Sequence, residues 1–382
     1  MKHQTMLRSL LVIALMLLAS CAGLHRDDIA DSGAPIQQVW SVDVDQREPG
    51  EPAGFSQPAI DSAKGLIVIG GRDGRVRVYN INGSEQHMIT IGEASDSGAL
   101  VLSNGLVAVG DIGGKLYGID PVAGKIVWQV QLSTSFLSQP VPLNDGFVVQ
   151  TIDNRLYHFS STGEKQWSYT GISGGLGIYI TPSPLVYDQA VYALFSNGDA
   201  LALKADSGDL IWRRQLLLSS DAPVLSELRT PVANPLYVHD LSLGIEHATD
   251  ALMVSFYQGD VMVLSREDGR QLFSNDISIK STPLVYQNSI YFASASGEVE
   301  AVDLSNGSIL WKQKLSDGEL LGPVLWNGKL WLADDRGIVM RLSLDGRKES
   351  SIELNGRIER APVATSAGVL ARTGLGVLTL LR

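Results

Sequence analysis

The chain has 382 residues, of which 45% are hydrophobic and only 19% charged, and its formal net charge is −11. That length suits two ordinary domains or one large all-β domain, and the apolar content argues against a disordered chain. The acidic balance, with no basic cluster, argues against nucleic acid as a partner.

In chain order, residues 1–20 have the features of a lipoprotein signal peptide. Lys2 and Arg8 give a positive start, and "SLLVIALMLLA" at 9–19 is an apolar core too short for a comfortable membrane span. The ending Leu18-Ala19-Ser20-Cys21 resembles the bacterial lipobox, whose cysteine carries the lipid and becomes the first mature residue. Cys21 is the only cysteine, so no internal disulfide is possible. At about 0.8 kcal/mol per buried methylene, several acyl chains on Cys21 would hold the protein on a membrane through a lasting lipid anchor. Ala22 and Gly23 follow it with no aspartate. By resemblance to enterobacterial sorting rules, this favours the outer membrane, facing the periplasm. Losing Lys2 and Arg8 deepens the net charge to about −13. Residues 21–35 then form the lipidated cysteine and a flexible tether spanning on the order of 20 Å.

From residue 36 onward the chain is an array. "SGEVEAVDLSNGSILWKQKL" at 296–315 has relatives at 113–132, 153–170, 197–216 and 258–277, and weaker ones at 73–91 and 336–354. Each begins with a small turn, runs through an apolar strand, turns at a glycine and enters a strand that often carries tryptophan. Upstream lie two more short strands, as in "TPLVYQNSIYFAS" at 282–294. Trp128, Trp167, Trp212, Phe273 and Trp311 are 39, 45, 61 and 38 residues apart. Four strands per period of about 40 residues is the pattern of a β-propeller blade. Blade starts near Pro58, Ala99, Pro140, Pro184, Pro231, Pro283, Pro323 and Pro362 predict eight four-stranded blades over 36–382. The last unit has only three strands, so "QQVWSVDV" at 37–44 is expected to complete it and close the ring. The tryptophans are expected to fill the widening wedge between blades. The long 61-residue interval is assigned to an insertion at 233–250 in the fifth blade.

Motifs that could carry chemistry are weak. Gly171-Ile172-Ser173-Gly174-Gly175 has the form of a nucleophile elbow, but another strand follows where a helix is required. His239 and His247, with Asp240 and Glu246, lack the spacing of a metal site. Asp43-x-Asp45 starts like a calcium loop without its glycine or closing glutamate. No catalytic residue, metal or cofactor is assigned.

The unit Asp303-x-x-x-Gly307-x-x-x-Trp311 resembles the repeat of pyrroloquinoline quinone (PQQ) dehydrogenases. Combined with the lipobox, the length and the eight blades, it is more specifically similar to the BamB family, lipoproteins of the outer-membrane β-barrel assembly machinery (the BAM complex). This resemblance implies a non-enzymatic scaffold that binds the periplasmic POTRA domains of the BamA insertase and assists nascent outer-membrane proteins. The binding segments would be 176–180 and 225–229, with Leu176, Ile178, Tyr179, Leu225, Glu227 and Arg229 as partner-binding residues. The family has an arginine in the first segment, where this chain has Ile178 or Tyr179, and paired aspartates in the second, where only Glu227 is acidic. The other readings are a PQQ-dependent quinoprotein and a propeller that binds envelope glycans or other partners.

Overall fold

The computed structural model describes residues 33–45, 54–172, 181–216, 231–241, 249–257 and 259–382. The described residues form eight four-stranded antiparallel sheets, which makes the molecule an eight-bladed β-propeller. Seven blades use consecutive strands, over 59–90, 100–131, 141–170, 185–215, 236–275, 284–314 and 320–353. The eighth takes Val363–Thr365, Gly368–Arg372 and Val377–Leu381, and adds Gln38–Asp43 as its outer strand. The expected closure from the N-terminal side is therefore present, with Trp40 opposite Leu380 and Ser41 opposite Thr379.

Local sequence explains the blade. First strands of neighbouring blades meet around the axis, and fourth strands lie outermost. Second strands such as Leu66–Gly70 and Gly146–Thr151 are buried along their whole length, because blades cover both their faces. Fourth strands such as Lys125–Gln131 alternate between exposed and half-buried residues. In blades three, four, six, seven and eight a two-residue hairpin joins the first and second strands. At Asn327-Gly328 both residues have positive φ, 51° and 73°, which matches the right-handed twist of the strands they connect.

The core is divided among the seams between blades, and each seam has its own apolar cluster. Between blades one and two it includes Val68, Val78, Val107 and Tyr117. Between blades eight and one it includes Ile67, Ile69, Leu370 and Leu378. At about 1.5–3 kcal/mol per fully buried large apolar side chain, these seams supply the main stabilisation of the ring.

The repeat motif is a head-to-tail link across those seams. Its aspartate shapes the turn before the outer strand: Asp120 Oδ1 accepts the backbone N–H groups of Val122 and Ala123, each at 2.9 Å. These bonds, Ala123's foremost, hold the Asp120 carboxyl below the usual carboxylate range. The tryptophan of one blade then lies against the turn glycine of the next and donates to a turn carbonyl. Trp167 Nε1 reaches the carbonyl of Ala205 at 2.9 Å, and its ring leaves no room for a Cβ on Gly208. Trp40, Trp128, Trp212 and Trp311 do the same toward Ile81, Ser161, Arg266 and Leu344. The wedge-filling role expected of the tryptophans is thus present, with a hydrogen bond added. Two seams use other residues. His87 Nε2 bonds the carbonyl of Val122 at 2.9 Å, and Ser350 Oγ accepts the N–H of Ile36 at 3.0 Å.

The long interval in blade five has two sources rather than one. The connection between the strands Leu236–Leu241 and Thr249–Ser255 is lengthened, as expected, but so is the connection from Gln215 to Leu236 that precedes the blade.

Candidate functional site

Antiparallel order fixes which loops share a face. The start of each first strand, the end of each fourth strand and the turns between second and third strands all emerge on one face of the ring. The described ends of the two connections that contain the segments suggested as partner-binding lie on that face. The first leaves blade three after Ile172 and re-enters at Thr181. The second leaves blade four after Leu216 and re-enters at Pro231, which bridges to Phe256. Leu176, Ile178, Tyr179, Leu225, Glu227 and Arg229 themselves lie outside the described residues, as does Cys21.

The points of re-entry converge on an opening at the propeller axis, a cavity of about 220 Å³. Its wall includes Gln57, Gln139, Ser183 and Thr282, each directly before the proline that starts a blade, together with Asn234 in blade five's entry segment. The side chains of Gln139, Thr282 and Asn234 are spent on joining blades. Asn234 Oδ1 accepts the N–H of Ser183 at 2.7 Å, and Thr282 Oγ1 accepts that of Asn234 at 3.0 Å. Gln139 Nε2 donates to the carbonyl of Ala99 at 2.7 Å, whose N–H bonds Gln57 at 3.0 Å. A polar belt at the axis therefore ties together the entries of blades one, two and three, and those of blades four, five and six. The sequence carries one sign of this belt, the polar residue that precedes Pro58, Pro140, Pro184 and Pro283.

The acids of the opening are paired with cations. Glu319 forms an ion pair with Lys280 and accepts Tyr257 Oη at 3.0 Å. Arg357 bonds Asp335 at 2.8 Å and Glu359 at 3.4 Å. Arg360 reaches across the axis to the carbonyl of Leu137 at 3.3 Å.

This arrangement can present hydrogen-bonding groups, but it does not fit a quinone site. Such a site needs acidic ligands free to hold calcium, and here Glu319, Asp335 and Glu359 already serve Lys280 and Arg357. Ser281, the hydroxyl beside the belt, donates to the Gly322 carbonyl and accepts the Gly322 N–H, with no base adjoining it. Among the described residues no group of three His, Cys, Asp or Glu side chains is placed to hold a metal.

The other motifs have structural roles where they are described. Asp45 is buried, receives the N–H of Arg72 at 2.7 Å and pairs with Arg372, so it clips the N-terminal strand to blade eight. Burial pushes its carboxyl up despite that arginine. His239 bonds Asp250 at 2.7 Å, while His247 and Glu246 lie outside the described residues. Gly171 donates its N–H to the carbonyl of Asn154 at 2.9 Å, and Ser173 lies outside the described residues.

Comparison with known proteins agrees with this architecture. The family model described as "Outer membrane protein assembly factor BamB" matches residues 37–313 and 246–352. A curated protein of that name from Burkholderia pseudomallei is 27% identical over 90% of this chain and 86% of its own length. Another, from Yersinia pestis, is 25% identical over 95% of this chain and 96% of its own. The crystal structure of BamB from Moraxella catarrhalis superposes with a TM-score of 0.77 at 21% identity, covering 91% of this chain and 99% of that one. A quinohemoprotein alcohol dehydrogenase from Pseudomonas putida shares the propeller at a TM-score of 0.70 and 13% identity, over 94% of this chain and 78% of its own.

Proposed function

Because the chain belongs to the BamB family, we propose that it is an accessory factor in outer-membrane protein assembly, a scaffold within the BAM complex rather than an enzyme. The observation that carries this reading is the family match across the propeller. The axial opening, whose acids are all paired to cations, agrees with a non-catalytic role.

In this reading residues 1–20 are removed, Cys21 is lipidated, and residues 22–35 tether the ring to the inner leaflet of the outer membrane. The face that carries segments 173–180 and 217–230 meets the POTRA domains of a BamA-type insertase, with Leu176, Ile178 and Tyr179 as an apolar anchor and Glu227 and Arg229 as its charged rim. Both segments re-enter the ring at the one axial opening, so a single partner can touch both.

Affinity purification of the full-length protein from detergent-solubilised envelopes tests the reading. Recovery of a BamA-type insertase is expected, reduced at least tenfold by the combined substitution Ile178→Asp and Tyr179→Asp. Repeated recovery without any insertase refutes it. Cys21→Ser should release the protein from the membrane fraction.

A further inference from the structure

The seam between blades five and six lacks the link that the other seams possess. Its outer strand, Gln271–Asn275, places Phe273 where tryptophan stands in blades two, three, four and six. Phenylalanine has no donor, and Phe273 is 41% exposed, whereas Trp167 and Trp212 are each 7% exposed. The receiving side is nonetheless built. The turn Leu304-Ser305-Asn306-Gly307 follows the same course as Ala205–Gly208 and Arg266–Gly269. In each, the glycine N–H bonds a carbonyl four residues back, and the glycine φ is between 71° and 74°. By that register the carbonyl of Leu304 is the counterpart of those that accept Trp167 and Trp212.

Between Phe273 and this turn lies a cavity of about 300 Å³. Met253, Val263 and Ile290 form its buried wall, and Phe273, Gly307 and Ile309 its mouth. Ile309, 59% exposed, gives the mouth an apolar rim. It belongs to the outer strand Ile309–Lys314, which is paired on one side only, so its other edge offers backbone groups to an arriving chain.

We infer that this seam is a receptor for an indole side chain, a tryptophan presented by another polypeptide that docks where the molecule's own tryptophan is absent. The ring would lie over Gly307 beside Phe273 and donate its N–H to the carbonyl of Leu304, repeating between molecules the contact that five other seams make within one. Aromatic rings with one donor suit a site that is apolar in body and polar at one point. The inference is independent of the assembly reading, because it rests on the seam and not on the loop-bearing face.

Titration of the full-length protein with N-acetyl-L-tryptophanamide, indole and N-methylindole, followed by ligand-observed NMR, tests it. Saturable binding of the first two is expected, with N-methylindole, which lacks the donor, at least fivefold weaker. Phe273→Trp should fill the cavity and weaken binding at least tenfold, with a denaturation midpoint no lower than wild type. Trp311→Phe should open a second site of the same kind and double the stoichiometry. The inference is overturned if wild type shows no saturable binding, if N-methylindole binds as well as indole, or if Phe273→Trp binds unchanged. It is also overturned if indole binds but the amide, which carries a peptide backbone, does not.

Discussion

Trp167 and Gly208 form a pair whose energetics can be worked out from the structure. Trp167 is 7% exposed, and its indole lies where a Cβ on Gly208 would be 2.7 Å from Cε3. Truncation of a buried tryptophan to alanine costs about 3–5 kcal/mol. Trp167→Phe keeps most of the ring but abolishes the bond to Ala205, so it should cost less, about 1–3 kcal/mol. Gly208→Ala meets two penalties: the left-handed φ of 74° costs roughly 1–2 kcal/mol, and the new methyl group overlaps the indole. Once Trp167 is alanine the overlap disappears and only the backbone penalty remains. The double mutant should therefore be more stable than the two single losses added together imply, by about 1–2 kcal/mol. Equilibrium urea unfolding followed by circular dichroism measures all four corners of this cycle. Strict additivity, or a Trp167→Ala loss under about 1 kcal/mol, would show that the ring does not carry the seam.

Two further outcomes follow from the ring closure and from a buried histidine. A chain beginning at Asp45 loses the strand Gln38–Asp43 and bares the apolar edge Val377–Leu381. It should self-associate in light scattering, and a peptide of residues 36–45 added in trans should restore the monomer; an unaided, stable monomer would refute the closing role. His158 is buried against Trp167, with ring centroids 5.4 Å apart, and burial pushes its pKa below the ordinary histidine value. The unfolded chain therefore takes up the proton first, so His158's contribution to stability is present above about pH 6.5 and is lost as pH falls below it. The urea midpoint of wild type should drop more steeply between pH 7 and pH 5 than that of His158→Phe, and parallel profiles would exclude the group.

Much of this ring could be read from residues because its signals are local. The stretch Asp303–Trp311 carries its own turn, its own left-handed glycine and its own ring to give away, so the period of about 40 residues was visible without any knowledge of contacts. The closure by residues 37–44 followed from counting strands. What was not visible depended on relations across seams. His87 and Ser350 stand in for tryptophan through a single polar atom each, which no aromatic spacing would flag. Asp45 looks like part of a calcium loop only because Asp43 stands two residues before it, whereas its partner in space is Arg372, far along the chain. The polar belt at the axis escaped notice because each member is one unremarkable side chain, meaningful only when blades converge. Segments 176–180 and 225–229 carry no period, and only the family resemblance points to them.

The link formed by each tryptophan and the following blade's glycine also bears on how such a chain could arise. A unit that gives one ring and receives one is compatible with a copy of itself, so duplication needs no new interface. The tally of copies is then set by where the circle meets its own beginning. His87, Phe273 and Ser350 hold the places where a unit departs from the shared tryptophan. Of the three, only the one at Phe273 leaves a cavity beside the next blade's turn, where five other seams place a tryptophan of the same chain.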